Sequence, residues 1–335
     1  MGNLPDKIVD RFGRAHNYLR LSLTERCNLR CFYCMPPEGV QLSPPASIMT
    51  AREIGAIARA FVSLGINKIR LTGGEPLVRK DFEEIVRDLA KLPVELALTT
   101  NGILIDRYFD VLKETGLKKI NISLDSLKEE KFSLITRRNY FKKVMDNIHL
   151  LLANGIIPKI NVVLIKGTNE DEIIDFAELT RHLPLEIQFI EFMPFNGNKW
   201  EKKKGIYYPE IMQRLKTHYG AQEVESLASL PNDTSRNFRV KGYKGSLGMI
   251  NTVSNPFCDS CNRIRLTANG RIKNCLFSQE ETDLLAAFRR NENIAELILE
   301  SIYSKKKTRG GIDDFSANDA APRIKNNRSM VLIGG

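Results

Sequence analysis

Six cysteines carry the first chemical information in this 335-residue sequence: Cys27, Cys31 and Cys34, then, more than 220 residues later, Cys258, Cys261 and Cys275. Thiols kept only for packing scatter along a chain. These fall into two tight triplets, CxxxCxxC and a CxxC followed, after thirteen intervening residues, by another Cys. In a long chain with no evident secretory leader, such spacing reads as metal binding or catalysis and not as a disulfide framework. Structural zinc takes four Cys or His ligands, and none of the four histidines (His16, His149, His182, His218) stands in ligand spacing with a cysteine. Three thiolates without a fourth partner suit an iron–sulfur cluster with one iron left open to a non-protein ligand. Two triplets imply two such clusters.

The elements that must position these triplets show in the hydropathy pattern. Apolar strands begin near Tyr18, Asn67, Glu95, Lys118, Pro158 and Leu185, with helical segments between them. One helix opens after Thr50 with the capping-box pair Thr50 and Glu53, then sets Ile54, Ile57, Ala58 and Phe61 on one face. Asn169 and Glu172 have the same spacing before Ile173, Phe176 and Ala177. Strands alternating with helices imply parallel βαβ units, in a barrel or a doubly wound sheet. Successive strand residues face opposite ways, so Leu21 and Leu23 oppose Arg20, Ser22 and Thr24, and Ile69 and Leu71 oppose Lys68, Arg70 and Thr72. Likewise Ile120, Ile122 and Leu124 oppose Asn121, Ser123 and Asp125, and Ile160, Val162 and Leu164 oppose Lys159 and Asn161. The apolar faces meet the helices, which leaves a polar lumen where a closed barrel ordinarily packs branched apolar side chains. Such a lumen needs a polar ligand. After Met193 the pattern becomes loop-rich through about residue 250. The second triplet follows, then a helical stretch over about 281–305 and a tail ending Gly334-Gly335. The expected division is 1–193 and 194–335.

Composition bounds the function. Fifty Lys and Arg against forty Asp and Glu give a net charge of +10, and 42% of residues are hydrophobic. That is the balance of a globular protein with an anionic partner: nucleic acid, a phosphorylated metabolite or an acidic membrane. The runs Lys202–Lys204 and Lys305–Lys307 read as solvated charge. No apolar run approaches the roughly 18 residues of a membrane span, and Met1 to Asp10 show neither an apolar leader nor an Arg/Ser-rich one. The expected location is the cytosol, or the mitochondrial matrix for a eukaryotic source. No Gly-Lys dipeptide occurs, which excludes a P-loop; a nucleotide would have to be held in another way.

CxxxCxxC directly after the first strand resembles the cluster loop of the radical S-adenosylmethionine (radical SAM) superfamily, and Thr72-Gly73-Gly74-Glu75-Pro76 resembles its GGEP motif. With LTTNG, INISLD, FIEFMPFNGNKW, CDSCNRIRLTANG and the terminal NRSMVLIGG, the chain from about Asp10 to Gly335 is similar to the MoaA family, the GTP 3′,8-cyclases that open molybdenum cofactor biosynthesis. The resemblance implies an incomplete (βα)6 barrel of TIM type, with a smaller C-terminal domain closing its mouth. It implies a [4Fe–4S] cluster on Cys27, Cys31 and Cys34 that reduces S-adenosyl-L-methionine to methionine and a 5′-deoxyadenosyl radical. That radical takes hydrogen from ribose C3′ of GTP, and the carbon radical attacks guanine C8. A second [4Fe–4S] cluster, on Cys258, Cys261 and Cys275, would bind the guanine through its open iron.

By the same resemblance, Tyr33, Gly74, Ser123 and Met193 match positions at the S-adenosylmethionine site. Arg14, Arg70, Thr99, Lys159, Arg263, Ile264 and Arg265 match positions around GTP, where Arg and Lys suit a triphosphate. Arg14, Arg263, Arg265 and the Gly334-Gly335 tail are associated with the radical step, so the tail is expected to enter the site. Gln188 stands where relatives commonly carry Arg, which would weaken contact with the S-adenosylmethionine carboxylate. The implied partners are a flavodoxin- or ferredoxin-like electron donor, a downstream cyclic pyranopterin monophosphate synthase (MoaC-type) and a second copy of the chain, with neither nucleic acid nor membrane. Two rival readings are a peptide maturase with an auxiliary cluster, which usually brings more C-terminal cysteines, and a zinc-stabilised RNA-binding module, which calls for four-ligand sites and aromatic platforms.

Overall fold

The computed structural model describes residues 7–36, 38–228, 232–315 and 320–335. The expectation of a leaderless N-terminus falls largely on residues 1–6, outside those described. Strands β1 (Ile8–Val9) and β2 (Ala15–His16) form a small antiparallel hairpin. Then come β3 (Tyr18–Ser22), β4 (Lys68–Thr72), β5 (Glu95–Thr100), β6 (Lys119–Ser123), β7 (Lys159–Leu164) and β8 (Glu186–Glu191), within a residue or so of the positions the apolar pattern marks. All six pair in chain order and in parallel, because each is returned to the same end by an intervening helix.

The helices cover one face of the sheet. Leu19, Leu21, Ile69, Leu71, Leu98, Ile120, Ile122, Ile160, Val162, Ile187 and Phe189 are buried in one continuous core. The helix Ala51–Ser63 contributes Ile54, Ile57, Ala58 and Phe61 to it, and its capping box is formed: the Glu53 amide donates to Thr50 Oγ1 and the Thr50 amide to Glu53 Oε2. The second expected box is not formed. The helix begins at Ile173 after a 3-10 turn over Glu170–Glu172. Asn169 instead accepts from the Ile165 amide and donates to the carbonyls of Asp125 and Val163, while Glu172 accepts from Ser126 Oγ and the Leu127 amide. Both side chains are buried, so the unpaired loop groups at the ends of β6 and β7 claim them before the helix terminus can.

The region after Met193 departs from expectation more strongly. It holds the helix Tyr208–Tyr219 and six strands: β9 (Val224–Ser226), β10 (Ser235–Val240), β11 (Ser246–Ile250), β12 (Arg263–Leu266), β13 (Arg271–Lys273) and β14 (Thr282–Asp283). The stretch over 281–305 is two helices, Leu284–Arg289 and Ile294–Tyr303. These strands join the sheet of the barrel itself. β11 pairs in parallel with β8, and β12 in parallel with β3, so the C-terminal region lengthens both edges of one twelve-stranded sheet. The result is an α/β partial barrel whose edges are taken up by the chain's own C-terminal strands. Among the described residues no helix is long and apolar enough to cross a membrane.

Thr50 is exposed and far from the lumen face, whereas Phe61 is fully buried. Replacing Thr50 by Ala is expected to cost about 1 kcal/mol and Phe61 by Ala about 3–5 kcal/mol, as read by anaerobic urea unfolding.

Candidate functional site

The polar faces of β3–β8 enclose a cavity of about 950 Å³ together with residues of the C-terminal strands and tail, at the upper end of the range for ligand sites. Register decides what it presents. Arg265 of β12 lies opposite Arg20 of β3, and Arg20 opposite Arg70 of β4. Three guanidinium groups therefore stand side by side on adjacent strands, all lining the cavity. Arg263 lines it two residues before Arg265, beside Tyr18.

Like charges paired across strands repel. Burial, then the neighbouring cations, brings the Arg20 guanidinium down to about 10 and that of Arg265 to about 9. Among the described residues no Asp or Glu side chain pairs with Arg20, Arg70, Arg263 or Arg265, and Arg20 Nη2 donates to a main-chain oxygen of Gly335. Arg70 is braced by Tyr18 Oη (2.6 Å), the Leu98 carbonyl (2.9 Å) and Asn121 Oδ1 (2.9 Å). Arg20 Nε and Arg263 Nη2 are buried with no acceptor. Unsatisfied donors on a group of half-buried to buried cations are the mark of a site built around an anion.

The two cysteine triplets sit at opposite ends of this lumen. Cys27, Cys31 and Cys34 follow the C-terminal end of β3. Cys261 precedes Arg263, the register partner of Tyr18 at the N-terminal end, and Cys275 follows Lys273, the antiparallel partner of Arg265. A five-residue strand spans about 17 Å, which sets the separation. All six thiols are unpaired and line the cavity. Within each triplet the sulfurs are close enough to affect one another's ionisation. Among the described residues no three His, Cys, Asp or Glu side chains converge on a point suited to a single metal ion. A four-iron cluster, whose thiolates bind separate irons, sets them farther apart.

The environments of the triplets differ. Burial, with the nearby Glu75 charge, pushes the Cys27 thiol up to about 11, and burial, with Cys27 and Asp125, pushes Cys34 up to about 12. At the second triplet burial also raises Cys261, but Lys305 and then Arg263 outweigh it and draw that thiol down to about 7. Lys305 had been read as solvated charge. It is 2% exposed, with Nζ 3.4 Å from Cys261 Sγ and 3.0 Å from the Arg263 carbonyl, whereas Lys306 and Lys307 are exposed. The helix Ile294–Tyr303 packs near the hairpin of β1 and β2 and carries Lys305 inward, which no local pattern reveals.

Around the first triplet, Tyr33, Gly74, Ser123 and Met193 all line the cavity. A Cβ on Gly74 would stand 2.4 Å from the Arg26 carbonyl oxygen, so only glycine lets the GGEP turn press against the cysteine loop. Glu75 braces that turn, accepting from the amides of Leu77 and Asn101 and from Thr100 Oγ1; burial raises its carboxyl to about 7. Tyr33 Oη donates to Asp125 Oδ2 at 2.6 Å, and burial raises Asp125 to about 6. Gln188 lines the cavity and donates to Glu186 Oε1 at 2.7 Å.

The other expected residues divide. Arg70, Thr99, Lys159, Arg263 and Arg265 line the cavity, Lys159 in an ion pair with Glu186 at 2.5 Å. Ile264 does not: on β12 it alternates with the two arginines, and its side chain lies in the core. Arg14 does not either. Its Nε meets Asp10 at 2.6 Å, and its Nη atoms donate to the carbonyls of Cys258, Lys306 and Lys307, so it clamps the hairpin to the second-triplet loop.

The tail turns inward. Val331 lies against Cys34, Arg265 Nη1 donates to the Gly334 carbonyl at 3.1 Å and Arg20 Nη2 to that of Gly335. Gly334 has φ 90°, and a Cβ there would meet Ser22 Cβ at 2.7 Å. Arg20, Asn121 and Asp125 were legible as lumen-facing from strand alternation but were not among the expected site residues. Lys305 and Arg309, whose amide lies 3.4 Å from Cys258 Sγ, left no sequence signal.

Comparison with known proteins agrees with this geometry. A model described as the Radical SAM superfamily matches residues 21–180, and one described as Molybdenum Cofactor Synthesis C matches residues 185–310. The chain is 44% identical over 336 residues to "GTP 3′,8-cyclase, mitochondrial" of Arabidopsis thaliana, covering 98% of this chain and 84% of that one. It is 44% identical over 308 residues to "GTP 3′,8-cyclase" of Listeria welshimeri, covering 89% and 90%. Against "Molybdenum cofactor biosynthesis protein 1" of Drosophila melanogaster it is 46% identical over 323 residues, 95% of this chain but 55% of that protein; the chain thus spans about half the length of some of its relatives. Among solved structures, Streptococcus suis SuiB bound to S-adenosylmethionine aligns with a TM-score of 0.59 at 15% identity over 88% of this chain and 70% of that one, a likeness of fold. With its cysteine loop, its arginine row and these relatives, the chain belongs to the GTP 3′,8-cyclase family, radical SAM proteins that carry the molybdenum cofactor synthesis C-terminal region.

Proposed function

We propose that this chain is a GTP 3′,8-cyclase and that GTP spans the lumen between the two triplets. The observation that carries this reading is the row Arg265–Arg20–Arg70 with Arg263 beside it, four cations that line the cavity and leave Arg20 Nε and Arg263 Nη2 without an acceptor, a set that suits a polyanion. A [4Fe–4S] cluster held by Cys27, Cys31 and Cys34 would supply the electron that cleaves S-adenosylmethionine to methionine and a hydrogen-abstracting 5′-deoxyadenosyl radical, and a second, held by Cys258, Cys261 and Cys275, would offer an open iron to the guanine.

The protein's own part is to hold and to exclude. Tyr33, Gly74, Ser123 and Met193 line the end of the lumen nearest the first triplet and would seat S-adenosylmethionine there. Arg20, Arg70, Arg263 and Arg265, with Thr99 and Lys159 beside them, would bind the triphosphate and fix the ribose along the axis. The distance between triplets suits a nucleotide held at both ends, which is what positions one ribose carbon rather than another. Gly334 and Gly335 occupy donors of Arg265 and Arg20 at the mouth nearest the first triplet, so the tail would keep water from the reacting carbon and steer these arginines. Arg14 enters as the clamp on the second-triplet loop, and Ile264 through its backbone alone.

Six unpaired thiols fit a reducing compartment, bacterial cytosol or mitochondrial matrix. An electron donor of flavodoxin or ferredoxin type, a synthase that consumes the cyclised nucleotide and a second copy of the chain complete the proposal.

Reconstituted protein incubated anaerobically with GTP, S-adenosylmethionine and a strong reductant is expected to give a GTP isomer alongside 5′-deoxyadenosine by liquid chromatography–mass spectrometry; deoxyadenosine without the isomer would reassign the substrate. Arg20→Gln is expected to weaken GTP binding about tenfold to a hundredfold. Ile264→Val should leave that affinity within about twofold and cost about 1 kcal/mol of stability. Trimming Gly334 and Gly335 should lower turnover at least about tenfold with iron content unchanged.

A further inference from the structure

Lys305 poses an electrostatic problem that the fold alone does not resolve. Its ammonium is buried, yet its hydrogen-bond acceptors among the described residues are the Cys261 sulfur at 3.4 Å and the Arg263 carbonyl at 3.0 Å. The nearest acid on the hairpin, Asp10, is already engaged by Arg14 and His16. A buried cation without an anion is costly, and the group placed to balance it is the deprotonated sulfur of Cys261.

The three thiols of this triplet are not treated alike. Cys258 receives a neutral backbone donor, the Arg309 amide. Cys261 receives a full positive charge. Donors and charges at the sulfurs are among the factors that set the reduction potential of an iron–sulfur cluster. A charge fixed by burial acts there with little screening.

We propose that Lys305 is a positioning and tuning residue for the second cluster, its ammonium serving as counter-cation to the Cys261 thiolate and holding that cluster's potential above the value its three thiolates would otherwise give. The inference rests on the reading of Cys258, Cys261 and Cys275 as cluster ligands. The withdrawal of charge through Cys261 makes the irons better acceptors for a purine donor atom. The second hydrogen bond, to the Arg263 carbonyl, ties the same ammonium to the strand that aims Arg263 and Arg265 into the lumen, so cluster and anion site share one anchor.

The test is a redox titration of the holoenzyme followed by electron paramagnetic resonance, comparing the unaltered chain with Lys305→Met and Lys305→Gln. The first cluster of the same chain is the internal reference. Both variants are expected to lower the reduced-to-oxidised ratio of the second cluster at a fixed potential about tenfold, which is 59 mV for a one-electron couple, while the first cluster stays where it was. An unmoved second cluster at full iron content overturns the proposal, and so does a shift in Lys305→Met that Lys305→Gln does not share, because a hydrogen bond and not a charge would then be responsible. If both variants keep the first cluster but cannot hold the second, the thiolate needs its counter-cation and the proposal stands. Loss of both clusters together in both variants overturns it, marking Lys305 as a residue of the fold. An unaltered chain that binds only about four irons instead of about eight defeats the cluster reading beneath the proposal, an outcome separate from those of the variants.

Discussion

The pairing of β12 with β3 is the constraint on which the site depends. More than 220 residues separate the two cysteine triplets along the chain, and one parallel ladder, Arg263 against Tyr18 through Leu266 against Leu21, brings them to the two ends of one lumen. The same ladder sets Arg265 beside Arg20. A slip of one residue would turn both C-terminal arginines into the core and Ile264 into the cavity. Burial of Ile264 and Leu266 among the apolar side chains of the sheet opposes that slip, so apolar packing on one face fixes where charge stands on the other.

That arrangement concentrates repulsion. Three adjacent guanidinium groups, with no Asp or Glu side chain among the described residues paired to them, are a strained feature. The protein moderates it with hydrogen-bond acceptors: Tyr18, Asn121 and the Leu98 carbonyl for Arg70, and the main-chain oxygens of Gly334 and Gly335 for Arg265 and Arg20. These acceptors orient the cations toward the lumen. The tail thereby belongs to the electrostatics of the lumen as much as to its closure.

The C-terminal region also solves a problem of the partial barrel. Six parallel strands alone would leave two open edges. β11 and β12 cover them, and the segments that follow supply the second triplet, Lys305 and the tail. Edge protection and site construction are done by the same strands.

Much of this was legible in the residues themselves. Cysteine spacing identified both triplets, because metal chemistry imposes local geometry. Strand alternation separated Arg20, Arg70, Asn121, Ser123, Asp125 and Lys159 from the core positions, because the pleat has a period of two. The Thr50–Glu53 cap formed as its spacing implies, because the Glu53 carboxylate has lone pairs enough to accept from the Thr50 amide and from Arg289 at once. What lay beyond the sequence was decided by long-range packing. Asn169 and Glu172 have the same spacing as a cap but are buried against loop groups that need them. Arg14 became a clamp because the Cys258 loop folds onto it, and Lys305, one of three consecutive lysines, became the buried cation because its helix docks beside the hairpin. Periodicity and ligand spacing are written in neighbouring residues, whereas a partner 50 or 250 residues away is chosen only when the chain folds.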